Sequence, residues 1–199
     1  MKCNRRLFLG AAVAGTASLL APRAFAQVRA ADRPDLLPRA LMALDTHAYR
    51  IANRDLVGLV DFSAHSREAR FHLVSVANGR VLISYLVAHG SGSDPGNSGW
   101  VQRFSNRPGS NASSDGAYVV GPSYYGQHGY SRRLDGLDAE NSNALHRAIV
   151  IHGADYVSRQ VVESQGRVGR SQGCFAVSRR DIGDVLDRLG AGHLLFAAK

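Results

Sequence analysis

Cys174 stands in the run Ser171-Gln172-Gly173-Cys174-Phe175, 22 residues after His152 of Ile151-His152-Gly153. Cysteine attacks as the thiolate, and an unperturbed thiol with a pKa of about 8.5 is mostly protonated at neutral pH. It therefore needs a base or a cation beside it, and an imidazole can take its proton. Gly173 allows a sharp backbone turn just before the sulfur, so the amides of Gly173 and Cys174 could face a developing oxyanion. Ser171 can hydrogen-bond either the turn or a substrate. Thiol, imidazole and glycine turns are together the minimum set for acyl transfer. The alternative is a small buried core residue, the usual state of a free cysteine.

These groups need elements to position them. Ala148 to Ile151 reads as a short apolar strand running into His152-Gly153, and Cys174 to Val177 as a second one after a polar, hairpin-like excursion. If the two strands are neighbours, imidazole and sulfur share one rim. Ser178 with Asp181 three positions later is a capping box opening a helix on Ile182, Val185, Leu186 and Leu189 that ends at Gly190. His193 to Ala197 is a terminal strand.

Upstream, Leu37, Leu41, Leu44, Ala48 and Ile51 recur at helical spacing and predict an amphipathic helix over Pro34 to Asn53, with Pro38 tolerable only in its first turn. The pattern then changes to period two. Leu56 to Phe62 is a strand, and Arg70 to Ala77 pairs with Arg80 to Ala88 across Asn78-Gly79, a strong hairpin signal. The Gly, Ser and Asn-rich stretch from Gly90 to Ser114 is too polar for core and long enough to be functional or a lid. Gly116 to Val120 reads as a strand, Tyr124 to Gly129 as a loop and Ala139 to Ala148 as a short helix. The sum is a mainly β (α+β), largely antiparallel sandwich or barrel with two or three peripheral helices.

Residues 1–26 have the anatomy of an export signal: Lys2, Arg5 and Arg6, an apolar stretch from Leu7 to Leu20, and Ala24-Phe25-Ala26 before Gln27. The run Asn4-Arg5-Arg6-Leu7-Phe8-Leu9 resembles the twin-arginine pattern, and Arg23 suits that route. About 14 apolar residues fall short of the roughly 20 that a membrane span needs, so no stable span is expected in the mature form. The expected organisation is signal peptide 1–26, an N-terminal segment and helix over 27–54 whose first residues to Arg33 are flexible, and a catalytic domain over 55–199. The expected location is the periplasm or cell envelope.

The whole chain carries a net charge of +8, but four of its 24 basic residues and none of its 16 acidic ones fall in the signal, leaving +4. The remaining arginines are dispersed and do not alternate with aromatic residues, so nucleic acid is not an expected partner. An exported protein whose mature chain has one cysteine forms no internal disulfide, and a leftover thiol there is a liability unless buried or used.

The longer runs Arg147-Ala148-Ile149-Val150-Ile151-His152-Gly153-Ala154 and Gly169-Arg170-Ser171-Gln172-Gly173-Cys174-Phe175-Ala176 resemble the L,D-transpeptidase catalytic domain of the YkuD-like murein transpeptidases, in its murein L,D-transpeptidase catalytic domain branch. Ser113-Ser114-Asp115-Gly116-Ala117-Tyr118 and Tyr124-Tyr125-Gly126-Gln127-His128-Gly129-Tyr130 extend the resemblance, which covers about Asp55 to Lys199. It implies a β-rich fold and a ping-pong reaction on peptidoglycan stem peptides. Cys174 is then the nucleophile, His152 the proton acceptor, and the main-chain carbonyl of Gly153 the group that orients the imidazole. A 3-3 crosslink or L,D-carboxypeptidase products would follow, carbapenem-type β-lactams would inhibit, and no cofactor or metal is required. Common family members carry arginine two positions after the cysteine and many carry histidine before the glycine. Here Ala176 and Gln172 stand there, so donor-carboxylate recognition is open, with Arg170 and Arg179 as available cations.

His128 between glycines and Tyr124 are candidates for the substrate cleft beside Ser171 and Arg170, and Trp100 is either a lid contact or a loop aromatic docked on the domain. None of the eight histidines forms a ligand pair of the His-Glu-x-x-His type. Two other readings compete: another cysteine hydrolase of wall peptides, disfavoured because histidine precedes cysteine and a strand follows it, and a noncatalytic wall-binding protein with Cys174 buried.

Overall fold

The computed structural model describes residues 34–199; the signal expected over 1–26 and the segment from Gln27 through Arg33 lie outside them. The first helix, α1, covers Leu37–Thr46 with Pro38 in its first turn, where a missing N–H costs nothing. It ends sooner than the apolar spacing suggests. The chain turns at His47, whose Nε2 lies 2.8 Å from Asp138 Oδ1, and Ile51 is buried from the turn that follows rather than from the helix.

Eight strands follow: β1 Leu56–Asp61, β2 Phe71–Ser75, β3 Val81–Tyr85, β4 Gly116–Gly126, β5 Gly129–Gly136, β6 Val150–Ala154, β7 Phe175–Ser178 and β8 Leu194–Ala198. Two further helices are α2 Arg159–Gln165 and α3 Ile182–Arg188. The sheet order is β3-β2-β1-β8-β4-β5-β6-β7. Only β1 with β8 and β6 with β7 run parallel, so the sheet is mixed but largely antiparallel. Its two ends meet, because the chain leaving β3 bonds β7: Ala88 N–H donates to Ala176 O at 2.8 Å, and Gly90 bridges Ser171. The mainly β architecture with three peripheral helices is the expected one.

Alternation along β1 sorts the core. Leu56, Val60 and Phe62 join Phe71, Leu73, Tyr118, Leu134, Ile151 and Phe175, the α3 residues Val185 and Leu186, and Leu189 just past its end. Val57 and Leu59 face the other way, onto Leu37, Ala40 and Leu44 of α1. Burying a side chain such as Ile151 or Phe175 contributes roughly 2 kcal/mol, which anchors the strands that carry His152 and follow Cys174. Ahead of α3, Ser178 Oγ accepts the Asp181 N–H at 3.0 Å and donates to Asp181 Oδ2 at 2.7 Å, but the helix starts at Ile182 with Asp181 as its N-cap and no side-chain cap bond, so the expected capping box is only half made.

Four local expectations are corrected. Tyr124 to Gly129 is not a loop: β4 runs through both tyrosines, and Gly126 pairs with Gly129 across a Gln127-His128 turn, Gly129 taking a φ of 75°. Ala139 to Ala148 is a chain of turns rather than a helix: the Asp138 carboxylate accepts the Ala117 N–H, and the Asn141 side chain donates to Ala117 O and accepts the Asp138 N–H. The excursion before Cys174 is no hairpin. Parallel β6 and β7 need a crossover, and it holds α2, capped by Ser158 Oγ on Val161 N–H and by left-handed Gly166. Finally, the polar stretch 90–114 does enter the interior: Ser93, Asp94, Ser113 and Ser114 are buried, with Asp94 satisfied by the N–H groups of Ser98 and Gly99 at 2.8 Å each.

Candidate active site

Parallel pairing sets His152 opposite Ala176, two residues past Cys174, so imidazole and sulfur reach the same end of β6 and β7. Both line a cavity of about 790 Å³, with His128, Arg170 and Ser171 from the predicted set and Arg147, Ala148 and Tyr156 besides. His152 is 3% exposed, and its Nδ1 lies 3.1 Å from Gly153 O. A carbonyl only accepts, so Nδ1 carries the proton and Nε2 keeps its lone pair for a substrate or thiol proton. Burial pushes the His152 pKa below the ordinary imidazole value. The Gly153 carbonyl opposes this, and His128 and Arg179 add to the downward push.

The Cys174 sulfur is half-buried and sits 3.7 Å from Ala148 O. Among the described residues no hydrogen bond joins it to His152, so proton transfer needs the thiol to turn from that carbonyl toward Nε2. Burial pushes the thiol pKa up, while a bond from Val150 N–H and the charge of Arg147 pull it down. Ala148 holds its carbonyl there with a φ of 54°, a left-handed conformation that costs a non-glycine residue about 1 kcal/mol or more.

The turn before the nucleophile is built by Ser171 and Gly173. Ser171 Oγ donates to Cys174 O at 2.7 Å and accepts the Gly173 N–H at 3.1 Å. The Gly173 amide is thus engaged inside the turn, and the oxyanion role expected of two amides narrows to that of Cys174. Gly173 itself has a φ of 113°, and a Cβ there would lie 2.7 Å from Ala112 O. Behind the turn, Ser171 N–H donates to His89 O at 2.9 Å, and His89 belongs to a fully buried row with Arg70 and Asp94.

Arg147 was not singled out by its spacing, and it proves to be a cavity residue whose charge acts on the sulfur. Its guanidinium donates to Ser105 O at 2.8 Å, Ser114 Oγ at 3.1 Å, Ser110 Oγ at 3.4 Å and Ala112 O, fastening the polar stretch against Gly173. Tyr156 is the second unforeseen wall residue; burial, then the charge of Cys174, push its hydroxyl pKa up to about 12, so it stays a donor. The run Arg147 to His152 is continuous in the sequence, but the left-handed turn at Ala148 that folds Arg147 back under Cys174 has no signal in it.

Arg170 lines the cavity while one of its nitrogens donates to Asp94 O. Arg179 does not: it pairs with Asp155 at 2.6 Å and lines a separate groove. Ala176 is fully buried among Ala88, Ala154, Val157 and Val168, so an arginine at that position would have no room. Tyr124 stands outside the cavity wall. It shares a register row with Ser131 and His152, two strands away, and its ring is covered by Arg133 at 4.6 Å. Trp100 docks edge-on against His65, with centroids 5.0 Å apart, and does not reach the cavity. No group of three or more His, Cys, Asp or Glu side chains among the described residues is arranged to hold a metal ion.

A thiol and an oriented imidazole at one end of a curled, mainly β sheet define the site, and the comparisons give it a family. The L,D-transpeptidase catalytic domain profile matches residues 31–198, and the chain belongs to that family. Similar solved structures include an L,D-transpeptidase from Mycobacterium smegmatis, with 14% identity over 73% of this chain and 59% of that one at a TM-score of 0.45. Another, from Xylanimonas cellulosilytica, has 16% identity over 81% and 70% at 0.43. A third is L,D-transpeptidase 3 from Mycobacterium tuberculosis in complex with a faropenem-derived adduct, with 14% identity over 73% and 60% at 0.44. The chain thus spans about three fifths of the length of the first and third of these. No curated protein gives a significant sequence match.

Proposed function

We propose that this chain is a peptidoglycan L,D-transpeptidase that works through a thioester on Cys174. The observation that carries the reading is the His152 imidazole, held by the Gly153 carbonyl with Nε2 bare, on the wall of the cavity that Cys174 also lines. The thiol proton passes to Nε2 as sulfur attacks the L-centre carbonyl of the third stem residue, a diamino acid such as meso-diaminopimelate. The Cys174 amide faces the oxyanion. The bond to terminal D-alanine breaks, its nitrogen takes the proton from His152, and a thioester remains. The amine of a second stem attacks that thioester, loses a proton to His152 and releases the thiol, giving a 3-3 crosslink. Water in place of the amine gives L,D-carboxypeptidase activity.

Arg147 offsets the burial of the sulfur with a fixed positive charge, and Arg170, with donors left over, is the candidate for the donor-stem carboxylate in place of the arginine absent at Ala176. Carbapenem-type β-lactams should acylate the same sulfur. The signal-like residues 1–26 support a periplasmic or envelope location. The test is incubation with tetrapeptide muropeptides, read by mass spectrometry for wild type and Cys174→Ala. Cysteine-dependent loss of D-alanine with 3-3 dimers is the expected result; loss without dimers marks a carboxypeptidase, and no cysteine-dependent product overturns the reading.

A further inference from the structure

The Gln127-His128 turn joins β4 to β5, and β5 pairs with β6 so that Ser131 lies opposite His152. The tip of this hairpin therefore reaches across the end of β6. His128 stacks on His152 there, with ring centroids 4.3 Å apart and planes 25° from parallel. The outer ring is exposed while the inner residue is 3% exposed, so His128 is the cover on one face of the base. Gln127 Nε2, an amide donor, lies 3.2 Å from His128 Nε2.

We propose that His128 is a positioning residue for His152: its stacked ring presses the imidazole onto the Gly153 carbonyl and shuts bulk water from its face, keeping it a free base until the thiol proton arrives. This rests on the function proposed above. A proton on His152 would place a cation against a second imidazole instead of against water, in a site where desolvation already disfavours charge. The other ionisable groups around His152 are Arg179 beyond the end of β7 and, across the cavity, Cys174, Tyr156, His146, Arg147 and Arg170. Among the described residues, His128 is the one whose ring stacks on it. The downward push on the His152 pKa, with burial as its largest cause and His128 among the others, agrees with the geometry.

The experiment is an NMR titration of the His152 ring in wild type, His128→Ala and His128→Phe. His128 sits on an exposed turn, so both variants should fold, and unchanged backbone spectra outside the hairpin check this. His128→Ala should raise the His152 midpoint by about one pH unit, while His128→Phe, which keeps the ring cover, should stay within a few tenths of wild type. A midpoint unmoved in His128→Ala, or moved as far in His128→Phe, overturns the inference. On tetrapeptide stems, the acid limb of kcat/KM should rise with the midpoint. Wild type that turns over no stem while the midpoint still responds would sink the proposed function and leave the His128 role standing.

Discussion

Arg147 closes the space beside Gly173: a Cβ placed on Gly173 would lie 3.0 Å from Arg147 Nη2. The guanidinium occupies the space that any side chain before the nucleophile would claim. The turn and the cation beside the sulfur thus depend on each other.

Gly173→Ala is accordingly expected to be costly twice over, through its left-handed φ of 113° and through contact with Ala112 O. A loss of about 3 kcal/mol is expected. Urea unfolding measures it, and a variant as stable as wild type would contradict the turn described here.

Removing the cation should weaken the thiolate. In Arg147→Met the Cys174 pKa should rise, because the charge that opposes its burial is gone. Iodoacetamide alkylation at neutral pH should slow by roughly 3- to 10-fold, and its pH midpoint should move up. Arg147→Lys keeps the charge but not the fork of hydrogen bonds, and should recover most of the rate.

Cys174→Ala should abolish turnover of tetrapeptide stems while changing stability by less than about 1 kcal/mol. The sulfur is half-buried, and its bond to Ala148 O is long. Thermal unfolding beside the mass-spectrometric assay separates the two effects.

Acid should destabilise the fold through His89. Burial, then the charge of Arg70, lower its folded pKa to about 4, against about 6.5 unfolded. Between these values the unfolded state binds the proton and the folded state does not, so stability falls as pH drops from 6.5 toward 4. The full span is worth about 3 kcal/mol. Urea midpoints at several pH values should show this slope in wild type and a shallower one in His89→Gln.

Ala148→Gly should relieve the left-handed residue under the sulfur. A gain of about 0.5–1 kcal/mol is expected, together with slower turnover as the carbonyl facing Cys174 loosens. A loss of stability would mean that the φ of 54° carries no strain.

The legible parts of this molecule were those with local signatures. Cys174 precedes one short apolar strand and His152 stands inside another, and the Asn78-Gly79 signal falls in the loop that closes the β2–β3 hairpin, where Ser75 rather than Ala77 bonds Arg80. Others depended on distant partners. Gly126 and Gly129 read as loop glycines yet are the closing pair of a hairpin, whose register is set by β6. The α2 helix buries no residue, so it has no apolar stripe to read. Asp94 looks like a surface acid until the amides of Ser98 and Gly99 are folded onto it. Arg147 and Tyr156 join the site through the turn at Ala148 and the crossover after β6, which no periodicity announces.

The bridge from Ala88 to Ala176 joins positions far apart in the chain. A contact of such sequence separation costs loop-closure entropy and holds only while both segments are in place. Ser171 leans on that same segment through His89 O and Ser91 N–H. The nucleophile's turn therefore rests on a segment outside its own strand, and local opening at Ala88 would slacken that turn while most of the sheet still stood.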